Sequence, residues 1–135
     1  MAAALLDEPA GPLRQTIYQN TYRTEPTEEA RFRQHRVQAL LRELLKERLE
    51  GQVYDPVRGS QTTKQLADDI RERVKALGFE RHKLVVYVSL GELKGQTFSS
   101  CSRCLWDTAT DGFASETFKN ESLFATAQVF ALYFE

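Results

Sequence analysis

Hydrophobic residues recur with a helical period in the first half of this chain and with a period of two in the second half. From about residue 28 to Gly51, apolar residues return at steps of three and four, with Arg36, Arg42 and Glu43 on the opposite side. This spacing predicts an amphipathic helix, and the glycine is a typical residue just after a helix end. The apolar stripe comprises Val37, Leu40, Leu41, Leu44, Leu45 and Leu49.

A second helix is predicted from about Thr62 to Leu77, with Gly78 directly after it. The intervening QVYDPVRGS, residues 52–60, is predicted to be a loop because its Asp-Pro and Gly-Ser pairs are typical of turns. Each helix is apolar along one stripe only, so we expect each to cover one face of another layer. The second stripe comprises Leu66, Ile70, Val74 and Leu77.

Four strands are predicted after the helices, because the period changes to two. They cover Lys83 to Leu90, Gln96 to Trp106, Phe113 to Lys119 and Ser122 to Phe134. Serines weaken the alternation of the second strand, so its register against its own sheet is poorly specified. Helices followed by strands predict an α+β fold, in which two N-terminal helices pack on a four-stranded antiparallel sheet.

The last strand is apolar on both faces, which places it in the middle of something larger than one sheet and one helical layer. One face presents Leu123, Ala125, Ala127, Val129, Ala131 and Tyr133, and the other presents Phe124, Thr126, Gln128, Phe130, Leu132 and Phe134. Two helices cover only the first face. The second face therefore predicts an interaction surface, and a dimer through the sheet is the simplest way to cover it.

Length and charge restrict the remaining possibilities. The 135 residues suit one domain, with a flexible arm over residues 1–27 and a folded domain over residues 28–135. Eighteen Lys and Arg against 19 Asp and Glu give a net charge of −1, which provides no attraction to nucleic acid or to a membrane. The N-terminal MAAALLDEPAG lacks the basic start of a secretory signal, so we expect a reducing compartment and free cysteines.

Few residues suggest catalysis or metal binding. The pair Cys101 and Cys104 is flanked by predicted strand, whereas a redox pair usually lies at a helix N-terminus and a zinc site needs about four ligands. His35 and His82 lie in other elements, although a Cys–His pair formed in space stays open. GELKGQT, residues 91–97, has neither the glycine spacing nor the following helix of a phosphate loop and is predicted to be a hairpin turn.

Trp106, Asp107 and Asp111 are interpreted as a strand-end tryptophan packed on the core and two turn aspartates. No catalytic set and no cofactor are expected, and a scaffold is favoured over an enzyme. A small thiol or metal module that uses the two cysteines is the alternative from another class.

Three motifs, in order, resemble the Tctex-type dynein light chains, and the resemblance covers residues 17–135. They are Gly78-Phe79-x-Arg81-x-Lys83, Trp106-Asp107 with Asp111, and Asn120-x-Ser122-Leu123-Phe124. NTYRTEP, residues 20–26, also resembles the Tctex-two-like subgroup, whose members serve ciliary and intraflagellar-transport dyneins. The resemblance implies two helices on a four-stranded sheet and a dimer in which the second strand crosses to the partner.

The resemblance also implies partners and sites. A dynein intermediate chain would add to a sheet edge by β-augmentation, along Phe98, Ser99, Ser100, Cys101, Ser102, Arg103 and Cys104. The dimer interface would contain Leu105, Trp106, Phe124, Phe130, Leu132 and Phe134. A second Tctex-type light chain is expected as the dimer partner, a heterodimer being favoured over a homodimer, and other dynein light chains would share the complex.

The expected role is non-catalytic assembly of the tail of an axonemal dynein, with the outer arm favoured. The expected location is the cytoplasm and cytoskeleton, at the axoneme of a cilium or flagellum. An adaptor that links a cytoplasmic or intraflagellar-transport dynein to cargo is the alternative within the same family.

Overall fold

The computed structural model of the chain describes Ile17, residues 19–94 and residues 101–134. Its elements, in chain order, are α1 (Gln34–Leu49), α2 (Pro56–Lys75), β1 (His82–Glu92), β2 (Gly112–Lys119) and β3 (Leu123–Tyr133). The fold is therefore α+β, with two helices on an antiparallel sheet of three strands within the described residues. The predicted class and the order of helices before strands are confirmed.

The sheet has the order β1-β3-β2, so the last strand of the chain is the central one. β1 pairs with β3 from His82 opposite Tyr133 to Glu92 opposite Leu123. β2 pairs with β3 from Gly112 opposite Ala131 to Lys119 opposite Phe124. The backbone of β3 is therefore paired on both sides, whereas β1 and β2 are the edge strands of this sheet.

The core lies between the helices and one face of the sheet. α1 packs on β2 and α2 packs on β1, and the predicted stripe of each helix supplies buried leucine, isoleucine and valine side chains. Beneath them β3 contributes small residues at alternate positions, which let both helices approach the sheet closely. These fully buried residues of β3 are Ala125, Ala127, Val129 and Ala131.

Both helices begin elsewhere than the sequence pattern predicted. α1 starts at Gln34 instead of near residue 28, because Arg33 has an extended backbone. A turn precedes the helix, in which the carbonyl and hydroxyl oxygens of Thr27 accept from the amide of Ala30. The Arg33 side chain donates to the Glu28 carboxylate, and this hydrogen bond holds the pKa of Glu28 below its usual range.

α2 starts at Pro56 instead of Thr62, so the predicted loop over residues 52–60 is wrong in its second half. Asp55 is the N-cap residue, and its carboxylate accepts from the amide of Val57 at 2.9 Å. Proline suits the first helical position because its missing N–H would have no partner there. The Asp-Pro pair therefore marks a helix start, whereas it was interpreted as a turn.

The predicted second strand, Gln96 to Trp106, is not found over its described residues, 101–106. Residues 96–100 lie outside the described residues, and residues 101–106 lie in neither a helix nor a strand. Gly91, predicted to open the connection before this segment, belongs to β1. A strand with a weak pattern needs a neighbouring strand to pair with, and β1, β2 and β3 leave only the outer edges of β1 and β2 for that purpose.

Candidate functional site

The candidate site is the face of the sheet that points away from the helices, here called the outer face. Because paired residues in antiparallel strands share a face, the register identifies its members. They are Lys83, Val85, Tyr87 and Ser89 of β1, Phe113, Ser115 and Thr117 of β2, and Phe124, Thr126, Gln128, Phe130 and Leu132 of β3. Phe134 follows the end of β3.

The outer face is apolar at one end and more polar towards its middle. At the apolar end Phe130 lies between Val85 and Phe113 in the register. The rings of Phe113 and Phe130 are 4.9 Å apart, and Trp106 approaches Phe130 edge-on at 6.2 Å. Trp106 thus packs on the outer face, and its interpretation as a tryptophan packed on the core is wrong.

Further along the sheet, Gln128 and Ser115 are opposite one another, and the hydroxyls of Thr117 and Thr126 lie 3.5 Å apart. At the far end the ring of Phe124 lies across Gly91, where an added Cβ would come within 2.5 Å of the ring. The apolar part of the face is therefore concentrated around Phe130.

Large apolar side chains on and beside this face are left open to solvent. Tyr87 is 58% exposed, Val85 is 52% exposed, and Leu105, next to Trp106, is 98% exposed. The predicted interface residues Trp106, Phe124, Phe130, Leu132 and Phe134 are partly covered. Open apolar groups of this size, next to an aromatic cluster, are typical of a surface that binds another protein.

The predicted edge segment is only partly described. Phe98, Ser99 and Ser100 lie outside the described residues, and Cys101 to Cys104 are exposed and belong to no strand. Both cysteines are free thiols. The structure places this segment directly before Trp106, so it joins the chain at the apolar end of the outer face.

The motif residues have structural roles that the sequence did not reveal. The side-chain Nδ2 of Asn120 donates to the carbonyls of Leu49 and Gln52, at 3.2 and 3.0 Å. Its oxygen accepts from the amides of Ser122 and Leu123, both at 2.8 Å. One side chain thus ties the turn between β2 and β3 to the end of α1.

Asp111 performs a comparable task at the other end of the sheet. Its carboxylate accepts from the amide of Tyr133 at 2.8 Å and from the amide of Asp107 at 3.0 Å. Asp107 in turn accepts from the amide of Ala109 through its side chain. Both aspartates form a turn, as predicted, and they fix the segment that leads from Trp106 into β2.

The first motif shapes the entry to β1. Gly78 and Arg81 both have positive φ, at 86° and 59°, which glycine tolerates at a helix end and other residues adopt less readily. Phe79 is buried and packs against Phe32, with ring centroids 5.2 Å apart. The carbonyl of Arg81 accepts from the amide of Phe134 at 2.8 Å, which joins this entry to the end of β3.

Catalytic and metal chemistry finds little support in the described residues. In that part of the chain no three His, Cys, Asp or Glu side chains form a group that could hold a metal ion. The Nδ1–H of His82 donates to the carbonyl of Glu80, and the His82 ring lies 5.5 Å from that of Tyr133. Of GELKGQT, residues 91 and 92 end β1, and residues 95–97 lie outside the described range.

Sequence reasoning did not assign Val85, Tyr87 and Phe113 to the predicted interface. The same alternation that identified the two faces of β3 contains this signal, because Val85 and Tyr87 alternate with the helix-facing Leu84, Val86 and Val88. Identifying them required the pairing partners of β3, which the strand order supplies. No described helix is long and apolar enough to cross a membrane.

Comparison with known proteins gives a consistent result. The Tctex-1 family model matches residues 31–132. The human dynein light chain Tctex-type protein 2B is 37% identical over 116 residues, which span 86% of this chain and 82% of that protein. The Xenopus laevis dynein light chain Tctex-type 5-B is 39% identical over 119 residues, 88% of this chain and 66% of that protein. The human Tctex-type 5 protein is 38% identical over 117 residues, 87% of this chain and 64% of that protein.

Proposed function

The chain belongs to the Tctex-1 family, and we propose that it is a dynein light chain that pairs through its outer face with another Tctex-type light chain. Tctex-type dynein light chains are structural, non-enzymatic subunits of a cytoskeletal motor. The function is therefore assembly and not catalysis. We assign the light-chain domain to residues 28–135 and an N-terminal arm to residues 1–27, and the family model begins at residue 31.

The open apolar end of the outer face is the observation that carries this proposal. Tyr87 and Val85 are more than half exposed beside the Phe130 cluster. Covering an apolar side chain of this size contributes about 1.5–3 kcal/mol. A second chain laid on this face would obtain that contribution from several residues at once, with Trp106 and Leu105 at the margin.

The segment before Trp106 supplies the second element of the proposal. In the dimer it becomes the fourth strand and pairs with the sheet of the partner, because its weak pattern does not commit it to its own sheet. Residues Cys101 to Cys104 are exposed and lie in no strand, which supports a segment that pairs only on assembly. An intermediate chain then adds along Phe98 to Cys104 through main-chain hydrogen bonds.

The resemblance of residues 20–26 to the Tctex-two-like subgroup supports the finer assignment. The partner is a different Tctex-type light chain in preference to a second copy, and the complex is the tail of an axonemal dynein, with the outer arm favoured. The protein then resides in the cytoplasm and cytoskeleton, at the axoneme of a cilium or flagellum, together with other dynein light chains. Isolation of the native complex from axonemes and from cytosol, with identification of the co-purifying chains, separates this role from that of a cytoplasmic or intraflagellar-transport cargo adaptor.

Light scattering after size exclusion tests the pairing. The chain is measured alone and after mixing with a panel of purified Tctex-type light chains, and a stable dimer is expected in one of these samples. A Tyr87→Asp variant should weaken that dimer, because the charge would be buried without a partner, yet should fold normally because Tyr87 is exposed in the monomer. Val57→Asp, at an 85% exposed position on α2, is the matched control. A folded monomer in every mixture would contradict the proposal.

The thiol or metal module is the alternative from another class, and Cys101 and Cys104 are its only supporting residues. Replacement of both by serine separates the two readings. The assembly role predicts that the reduced double variant still forms the dimer. A thiol or metal module predicts that the activity of that module is lost.

A further inference from the structure

Cys101 and Cys104 form a pair of free, exposed thiols at i and i+3, in a segment that belongs to no helix or strand. Exposed thiols react with disulfides through their thiolate form, whereas buried structural cysteines are inert. The packing of the described core does not use these two side chains, so a change in their oxidation state leaves the core intact. The pair is therefore available for reversible chemistry.

The geometry of a disulfide restricts the backbone that carries it. A disulfide requires Cα atoms roughly 4.4–6.8 Å apart. Residues i and i+3 of a β-strand are separated by about 10 Å, because a strand rises about 3.3 Å per residue. A bond between Cys101 and Cys104 therefore forces the segment to bend, and an extended strand over the same residues excludes the bond.

We infer that the thiol–disulfide state of Cys101 and Cys104 controls assembly of this chain, with the reduced form competent and the internally bonded form excluded. The inference rests on the proposed function, because it takes residues 101–104 to become a strand in the dimer and at the intermediate-chain edge. The disulfide fixes these residues in a bent form that cannot align its N–H and C=O groups with a neighbouring strand.

The oxidant is a low-molecular-weight disulfide such as oxidised glutathione. One cysteine thiolate attacks a glutathione sulfur, and one reduced glutathione leaves as a thiolate. The second cysteine thiolate then attacks the mixed disulfide and expels the second glutathione. Two cysteine thiols are thus oxidised, one glutathione disulfide is reduced to two thiols, and the two cysteine protons pass to the leaving thiolates.

Linkage makes the inference quantitative. If the disulfide weakens dimer formation by a given factor, dimer formation opposes the disulfide by the same factor. We expect that factor to be about tenfold or more, within the range typical of coupled sites. In a reducing compartment the segment stays competent, and oxidative conditions withdraw the chain from assembly.

The test compares reduced chain, chain oxidised with glutathione disulfide, and the variants Cys101→Ser, Cys104→Ser and the double variant. Mass spectrometry under non-reducing conditions identifies the internal disulfide by the loss of two hydrogens. Sedimentation velocity then measures the dimer formed by each sample, alone and with the panel of Tctex-type light chains. Oxidised wild-type chain should assemble about tenfold or more weakly than reduced chain, while the double variant should assemble equally in both conditions.

Each other result overturns the inference. Equal assembly of the oxidised and reduced wild-type chains overturns the inference and leaves the proposed function standing. A disulfide between two chains, visible as a covalent dimer, also overturns it. Absence of assembly in the reduced wild-type chain and in the double variant overturns the proposed function as well, so the two failures are distinguishable.

Discussion

Among single residues, Asn120 joins the turn between β2 and β3 to the end of α1 through one side chain. Its four hydrogen bonds include two to carbonyls of Leu49 and Gln52, about seventy positions earlier in the chain. The family motif contains Asn120, but its distant partners become visible only in the folded chain. The same holds for the bond between Asp111 and the amide of Tyr133.

Asn120→Ala is expected to lower the free energy of unfolding by about 1–3 kcal/mol, because it leaves backbone groups at both ends of this link without a partner. Urea denaturation measures the change. Asn20→Ala, at an exposed position, is the control and should change stability by less than about 0.5 kcal/mol. A similar value for both variants would show that solvent replaces the Asn120 bonds without cost.

At the scale of elements, the interior of each helix is predictable from the sequence and its start is not. The leucine spacing of α1 determines which side is buried, and Val37, Leu41, Leu44, Leu45 and Leu49 are all buried as predicted. The first residue of each helix depends instead on the local backbone conformation and on the capping residue. Arg33 is extended before α1, and Asp55 caps α2 six residues earlier than the apolar stripe indicated.

Leu44→Ala should lower the free energy of unfolding by about 2–5 kcal/mol, because Leu44 is a fully buried residue of α1 and its truncation leaves a cavity. Thermal and urea unfolding give the value, with the exposed neighbour Glu43→Ala as the control. A loss below about half a kcal/mol would mean that α1 does not pack on the sheet as described.

Asp55→Ala should destabilise the chain by about 0.5–2 kcal/mol, because it removes the side-chain acceptor at the N-cap of α2. Asp68→Ala removes the same charge from an exposed position inside α2 and serves as the control. Equal stability of the two variants would show that the helix begins beyond the Asp-Pro pair, as the sequence pattern alone suggested.

The pairing of the predicted second strand, Gln96 to Trp106, could not be derived from the sequence. Residues 101–106 lie in no strand in the single chain, and the serines at 99, 100 and 102 weaken the pattern of the predicted strand, so it does not indicate a pairing partner. A strand requires a neighbouring segment to pair with, and the pattern of residues 96–106 does not identify that segment. The two apolar faces of β3, by contrast, were predictable from the alternation of its residues, whereas its central place in the order β1-β3-β2 was not.

At the scale of the whole molecule, the helices bury one face of the sheet and leave the other incompletely covered. The aromatic cluster of Trp106, Phe113 and Phe130 partly shelters itself, while Tyr87, Val85 and Leu105 stay open. This asymmetry distinguishes the site from a catalytic cleft, since the exposed residues that define it are apolar and lie on or beside one face of the sheet. The proposed pairing with another Tctex-type light chain rests on this surface.

Phe130→Asp should weaken dimer formation more strongly than Tyr87→Asp, because Phe130 is at the centre of the cluster and the charge would be buried without a partner. Circular dichroism of the isolated variant checks that the fold persists, and Tyr87→Asp provides the second test if it does not. Sedimentation equilibrium measures the affinity. Unchanged affinity in both variants would show that the outer face stays in contact with solvent.

Hydrogen exchange across the transition from monomer to assembly tests the central claim most directly. The amides of residues 101–104 are read in the reduced chain before and after saturation with the Tctex-type light chain that binds it. We expect rapid exchange in the monomer and strong protection in the assembly, because the segment acquires a paired strand and Tyr87 and Val85 become covered. Exchange that is equally fast in both states, with a partner demonstrably bound, would contradict it.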